Sequence, residues 1–117
     1  MPRVADYSII SDAWVVEGVQ DTIIFEVPST IDENSRTVIG FMLQILNADD
    51  LTIELRMNGI RIWHWSYSDG RRVGFFQEVL NAGVVRAGRN VFSFDSSSGD
   101  VRFVQLSDIV LWWQANI

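Results

Sequence analysis

Two indoles and a set of hydrogen-bonding side chains lie close together in LTIELRMNGIRIWHWS, Leu51 to Ser66, with Tyr67 directly after it. Trp63 and Trp65 alternate with polar neighbours, and Glu54, Arg56, Arg61 and Tyr67 add acceptors and donors. That combination suits carbohydrate. The C–H face of a pyranose is flat and apolar and stacks on an indole, while charged and phenolic groups reach its equatorial hydroxyls. Covering about 100 to 150 Å² of apolar area at ~25 cal/mol/Å² yields roughly 3 kcal/mol, which alone means millimolar binding. A useful lectin of this kind needs several sites, and hence oligomerisation. Trp, Tyr and Arg are also the residues enriched at protein interfaces. The alternative reading is therefore a homo-oligomeric structural or scaffold protein whose aromatic surface is a protein–protein contact. On either reading Trp63, Trp65, Tyr67, Glu54, Arg56 and Arg61 are the candidate binding residues.

Catalytic patterns are missing. His64 is the only histidine and there is no cysteine, so neither a thiolate metal site nor a His-rich zinc site can be assembled. No Gly-x-Ser-x-Gly elbow, P-loop or Gly-x-Gly-x-x-Gly occurs, and no stretch singles out a carboxylate pair for glycoside hydrolysis. The expectation is a protein that is not an enzyme and carries no cofactor. Asp49, Asp50, Asp69, Asp95, Asp100 and Asp108 fall at predicted loops or strand ends, where a structural calcium is the minor reading and turn capping the main one.

The element that must position the indoles is a β-hairpin. Asn58-Gly59 between two alternating apolar runs is the signature of a two-residue turn with positive φ at both positions. Straight pairing outward from that turn sets Leu55 against Ile62, Glu54 against Trp63, Ile53 against His64 and Thr52 against Trp65. Ile53, Leu55, Met57, Ile60, Ile62 and His64 then share the core face, and Trp63 and Trp65 share the outer face with Glu54, Arg56 and Arg61. Two exposed indoles present about 300 to 500 Å², as much as the largest patch a monomer usually leaves open.

The rest of the chain reads as strands separated by Gly, Asn, Asp and Ser turns. Ser8 to Val16 holds short β-prone pieces around Trp14, the second ending at Gly18. DTIIFEV, Asp21 to Val27, points Ile23, Phe25 and Val27 inward and stops at Pro28. RTVIGFMLQIL, Arg36 to Leu46, is apolar enough to be covered on both faces. After the hairpin, Asp69-Gly70 turns the chain into VGFFQEVL, Val73 to Leu80. A loop from Asn81 to Gly88 precedes NVFSFD, with Phe92 and Phe94 inward. Val101 to Leu106 and Asp108 to Gln114 finish the chain around a kink at Ser107. In LWWQANI, Trp112 and Trp113 point to opposite faces, so one leaves the core unless the segment around Trp14 covers it. Seven or eight such strands without a helix make an antiparallel β-sandwich, a jelly roll, with residues 1–117 as one domain.

DLTIELRMNGIRI, FFQEVLNAGVVRAGRNVFSF and VQLSDIVLWWQ together resemble galactose-binding-like jelly-roll domains over roughly Asp50 to Gln114. In those domains a strand ends in an Asn-Gly turn, an "aGrN" turn precedes a core strand, and the last strand opens on Ser-Asp. The resemblance implies the fold, and members that bind sugars, other small ligands or partner domains, often as appendages of enzymes.

Composition fits an ordinary folded protein, 48% hydrophobic and 21% charged over 117 residues. Every one of the 9 basic residues is Arg, and 15 acids bring the net charge to -6. That balance opposes binding to nucleic acid and to anionic membranes. Neither a signal peptide nor an apolar run long enough to span a membrane is visible, so the default expectation is a soluble, cytoplasmic protein. The expected partners are a carbohydrate or a protein surface, including further copies of the chain.

Overall fold

The computed structural model describes residues 3–16, 20–46, 51–67, 72–96 and 103–116. Eight strands are present: β1 (Arg3–Val15), β2 (Gln20–Val27), β3 (Thr37–Leu46), β4 (Leu51–Met57), β5 (Ile60–Tyr67), β6 (Arg72–Leu80), β7 (Gly88–Ser96) and β8 (Phe103–Asn116). They form two antiparallel sheets, sheet I in the order β1-β8-β3-β6 and sheet II in the order β2-β7-β4-β5. First pairs with last, second with seventh, third with sixth and fourth with fifth. This is a long hairpin folded over on itself, the jelly roll expected from the strand count. The expected turns at Gly18, at Asn47 to Asp50, at Asp69-Gly70 and at SSSGD lie outside the described residues.

The core is the interdigitated inner faces. Ile39, Phe41, Leu43 and Ile45 of β3 and Ile53, Leu55 and Met57 of β4 are fully enclosed, with Phe92 and Phe94 of β7 and Leu106, Ile109 and Leu111 of β8. These inward sets on β2, β3 and β7 are those the period-2 alternation specifies. The last strand is continuous rather than two pieces; Asp108, with φ 49°, forms a kink next to the expected one at Ser107. β3 departs from expectation in being covered on one side only. Val38 and Met42 are half-buried on the outer face of sheet I, because a two-layer sandwich has no third layer to place over them.

The two inward indoles are anchored by their N–H groups. Trp113 donates from Nε1 to Ser8 Oγ (3.1 Å), and Trp14 from Nε1 to Asp21 Oδ2 (3.0 Å). Trp14 packs in the core against Phe92 and Phe94 rather than over the other rings. Asn58 and Asn90 brace the hairpin against the β6–β7 loop. Asn58 Nδ2 donates to Val84 O and to Asn90 Oδ1, and Asn58 Oδ1 accepts from Val91 N, each at 2.8 Å. Buried Asn90 in turn accepts from Arg86 N and donates to the Arg86 and Gly88 carbonyls.

Candidate functional site

The turn has the expected geometry, with φ 53° at Asn58 and 82° at Gly59. Met57 pairs with Ile60 and Arg56 with Arg61 as expected, and then the register breaks. A β-bulge leaves Ile62 without a partner, so Leu55 pairs with Trp63, Glu54 with His64, Ile53 with Trp65 and Thr52 with Ser66. One extra residue in β5 exchanges the two faces of everything beyond it. Trp63 and Trp65 therefore turn toward the interior, and His64, expected in the core, is exposed on the outer face. Trp63 and Trp65 remain half-buried, because β5 and β6 are the edge strands of the two sheets and leave that side of the sandwich open.

At this open side the rings form one cluster. Trp63 lies edge-on to Phe41 with centroids 5.2 Å apart, and Phe76 of β6 sits 5.1 Å from Trp63 and 5.2 Å from Trp65. The two indoles are 6.1 Å apart and tilted by 53°, so they do not present a common flat platform. The six candidate residues are thus divided. Glu54, Arg56 and Arg61 stand on the outer face of sheet II. There Arg56 contacts Glu54 Oε2 through Nε (2.9 Å) and Nη2 (2.8 Å), and Arg61 Nη1 lies 3.7 Å from Glu54 Oε1. Tyr67 ends β5, and its side chain lies outside the described residues.

The bulge produces a different grouping. Arg61, Ile62, Trp63, His64 and Glu78 line an open hollow of about 340 Å³ where β5 meets β6. It combines one half-exposed indole with a guanidinium, an imidazole and a carboxylate, and its volume is at the lower end of small-molecule sites, about 300 Å³ upward. His64 and Glu78 are absent from the set expected from sequence. A local signal pointed to His64 alone: consecutive apolar residues at Ile62 and Trp63, where strict alternation must fail. A second hollow of about 430 Å³ on the outer face of sheet II is lined by Gln20, Asp21, Thr22, Arg56, Ser93, Phe94 and Asp95. Its one ring, Phe94, is buried and offers nothing to stack on. Among the described residues no group of three or more His, Asp or Glu could hold a metal ion, and Asp49, Asp50, Asp69 and Asp100 lie outside those residues.

The outer faces of the two sheets differ in kind. That of sheet II carries the ion-paired Glu54, Arg56 and Arg61. That of sheet I carries Tyr7 and Ile9 from β1, Val110 and Trp112 from β8, Val38 and Met42 from β3, and Phe75 and Val79 from β6. A Cβ on Gly40 would lie 2.8 Å from Trp112 Cζ3 and 2.9 Å from Phe75 Cζ, so these two rings close over a glycine floor.

No protein-family model matches the chain, and no curated protein matches it by sequence. Solved structures do match in fold. Dimeric latent PorU from Porphyromonas gingivalis superposes with a TM-score of 0.68 at 13% identity, over 97% of this chain and 13% of PorU. The EclA C-terminal domain, a sugar-binding protein, gives 0.54 at 8% identity over 95% of this chain and 79% of that domain. A family 35 carbohydrate-binding module from an environmental isolate gives 0.51 at 10% identity over 80% of this chain and 64% of the module. The chain thus spans a small part of PorU and about two thirds of that module. At such identities the likeness is one of fold, and the galactose-binding-like jelly-roll resemblance holds at that level.

Proposed function

We propose that the chain is a non-catalytic carbohydrate-binding module, one jelly-roll domain that holds a sugar in the hollow between β5 and β6. The observation that carries this reading is the half-exposed face of Trp63 beside Arg61, His64 and Glu78 in one open hollow. An indole takes the apolar face of a pyranose, Glu78 accepts from hydroxyls, and Arg61 donates to them, which is how apolar and polar parts of one sugar ring are matched together. Two fold neighbours described as a sugar-binding protein and a carbohydrate-binding module are consistent with it. Stacking on half of one indole covers about 50 to 100 Å², worth roughly 1 to 3 kcal/mol at ~25 cal/mol/Å². Binding to a single site is therefore in the millimolar class.

The test is a titration of intrinsic tryptophan fluorescence with a panel of neutral and acidic saccharides up to about 50 mM. Saturable quenching is expected, weakened at least about fivefold by Glu78→Gln or His64→Ala, which spare the enclosed core. No saturable response to any saccharide, or a response indifferent to both substitutions, removes the proposal.

A further inference from the structure

We propose that the outer face of sheet I is the contact face of a homodimer, packed sheet against sheet with a second copy of the chain. Tyr7 and Ile9 on one edge strand are 60% and 56% exposed, and Phe75 and Val79 on the other are 49% and 58% exposed. Between them Trp112 and Val110 of β8 complete a mainly apolar surface across the four strands, with Gln77 of β6 as an uncharged amide between Phe75 and Val79.

Two features select a second copy as the occupant. The first is area. Four strands about 4.8 Å apart and roughly eight residues long at ~3.3 Å each, with their side chains, offer on the order of 500 to 800 Å². Pairing two such faces removes about 1,000 to 1,600 Å² from water, within the range of a specific dimer, and an uncovered patch of this size matches or exceeds the largest that a monomer ordinarily shows.

The second feature is charge. The protein carries -6, so copies repel each other at long range, yet none of these six residues is charged. The face can meet itself without burying an ion, and the ion-paired outer face of sheet II cannot. Two sheets meeting in this way stand about 10 Å apart, the spacing of the sandwich interior itself.

The experiment is the mass of the chain by sedimentation and light scattering from about 1 to 100 µM, since association follows mass action. The expected result is about twice 13.3 kDa at the upper end. Ile9→Arg and Val79→Arg, both on exposed positions, each weaken the association at least about tenfold and together abolish it, because a guanidinium is buried without a partner. Ile24→Arg, at a position 53% exposed on the outer face of sheet II, leaves the mass unchanged. Circular dichroism melts confirm that all three variants are folded. A chain that stays monomeric to about 100 µM, or a dimer indifferent to Ile9→Arg and Val79→Arg, overturns the proposal. So does retention on insoluble polysaccharide that is lost in Tyr7→Ala, which would give the face to a carbohydrate surface.

Discussion

Asn58 separates two explanations of why the central hairpin carries Asn-Gly. If the residue is there only to supply positive φ, Asn58→Gly is harmless, since glycine adopts φ 53° without steric cost. The geometry says otherwise. The substitution keeps the turn and deletes three hydrogen bonds of 2.8 Å, from Nδ2 to Val84 O and Asn90 Oδ1 and from Val91 N to Oδ1. At a net value of about 0.5 to 1.5 kcal/mol each, the loss is roughly 2 to 4 kcal/mol, with the half-buried Val91 N–H left unpaired as the largest part. The added freedom of glycine in the unfolded chain deepens it by about 0.5 to 1 kcal/mol. Asn58→Asp keeps the acceptor for Val91 N but sets a carboxylate oxygen against two other acceptors, Val84 O and Asn90 Oδ1, so it is destabilised as well. Urea unfolding followed by tryptophan fluorescence reads the loss as a lower midpoint at unchanged slope. Thermal unfolding reads it as a drop of about 10 °C at roughly 3 to 5 °C per kcal/mol. Because the turn stands next to the bulge that orients Trp63, saccharide affinity in the hollow weakens as well. An Asn58→Gly protein within about 0.5 kcal/mol of the parent refutes the bracing role, and with it the coupling between turn and hollow.

Thr37 Oγ1 is buried with no hydrogen-bond partner among the described residues, so Thr37→Val is expected to raise stability by about 1 kcal/mol. A higher urea midpoint at unchanged slope checks it, and a lower one shows that the hydroxyl is satisfied. Gly40→Ala forces a Cβ within 2.9 Å of the rings of Trp112 and Phe75 and is expected to cost about 1 to 2 kcal/mol, net of the gain from a stiffer unfolded chain. The same substitution in a Phe75→Ala, Trp112→Ala background should cost nothing, and a double-mutant cycle measures the difference.

Much of the fold is legible because it rests on local rules. The alternation of Asp21 to Val27 and of Asn90 to Asp95 points Ile23, Phe25, Val27, Phe92 and Phe94 inward on the parity observed, and the Asn58-Gly59 turn sits where two apolar runs meet. The site is less legible for a physical reason. A bulge adds a single residue whose signature is a broken alternation, and Ile60, Ile62, Trp63 and Trp65 can be read as an outward pair of indoles or as a shift of parity at Ile62. The polar histidine that straight pairing assigns to the core was the sign that the second was correct. Bulging exposes His64 and turns both indoles inward at once. Glu78 was missed because its place in the hollow depends on β6 lying opposite β5, a long-range arrangement that no window of sequence contains.

The continuous apolar runs carry a further consequence. In sheet II, β4 alternates cleanly, with Thr52, Glu54 and Arg56 outward against Ile53, Leu55 and Met57 inward. In sheet I, β3 and β8 are apolar at both parities: Val38 and Met42 back Ile39 and Phe41, and Val110 and Trp112 back Ile109 and Leu111. A jelly roll has two layers, so one of those two faces must lie outside the fold, and hydrophobicity on it adds nothing to the chain's own interior. Such a run in a two-layer protein therefore leaves an apolar face open to solvent, the face to which the proposed dimer contact is assigned. The same reasoning explains why the two surfaces stand apart. The face of sheet I is broad and mainly apolar, the arrangement from which a contact with another sheet is proposed, whereas the opening between β5 and β6 has charged groups at its rim, the arrangement from which sugar binding is proposed. Occupying one leaves the other open, so the proposed dimer through sheet I would present the proposed sugar site twice, on separate copies, the multivalency that a millimolar site requires.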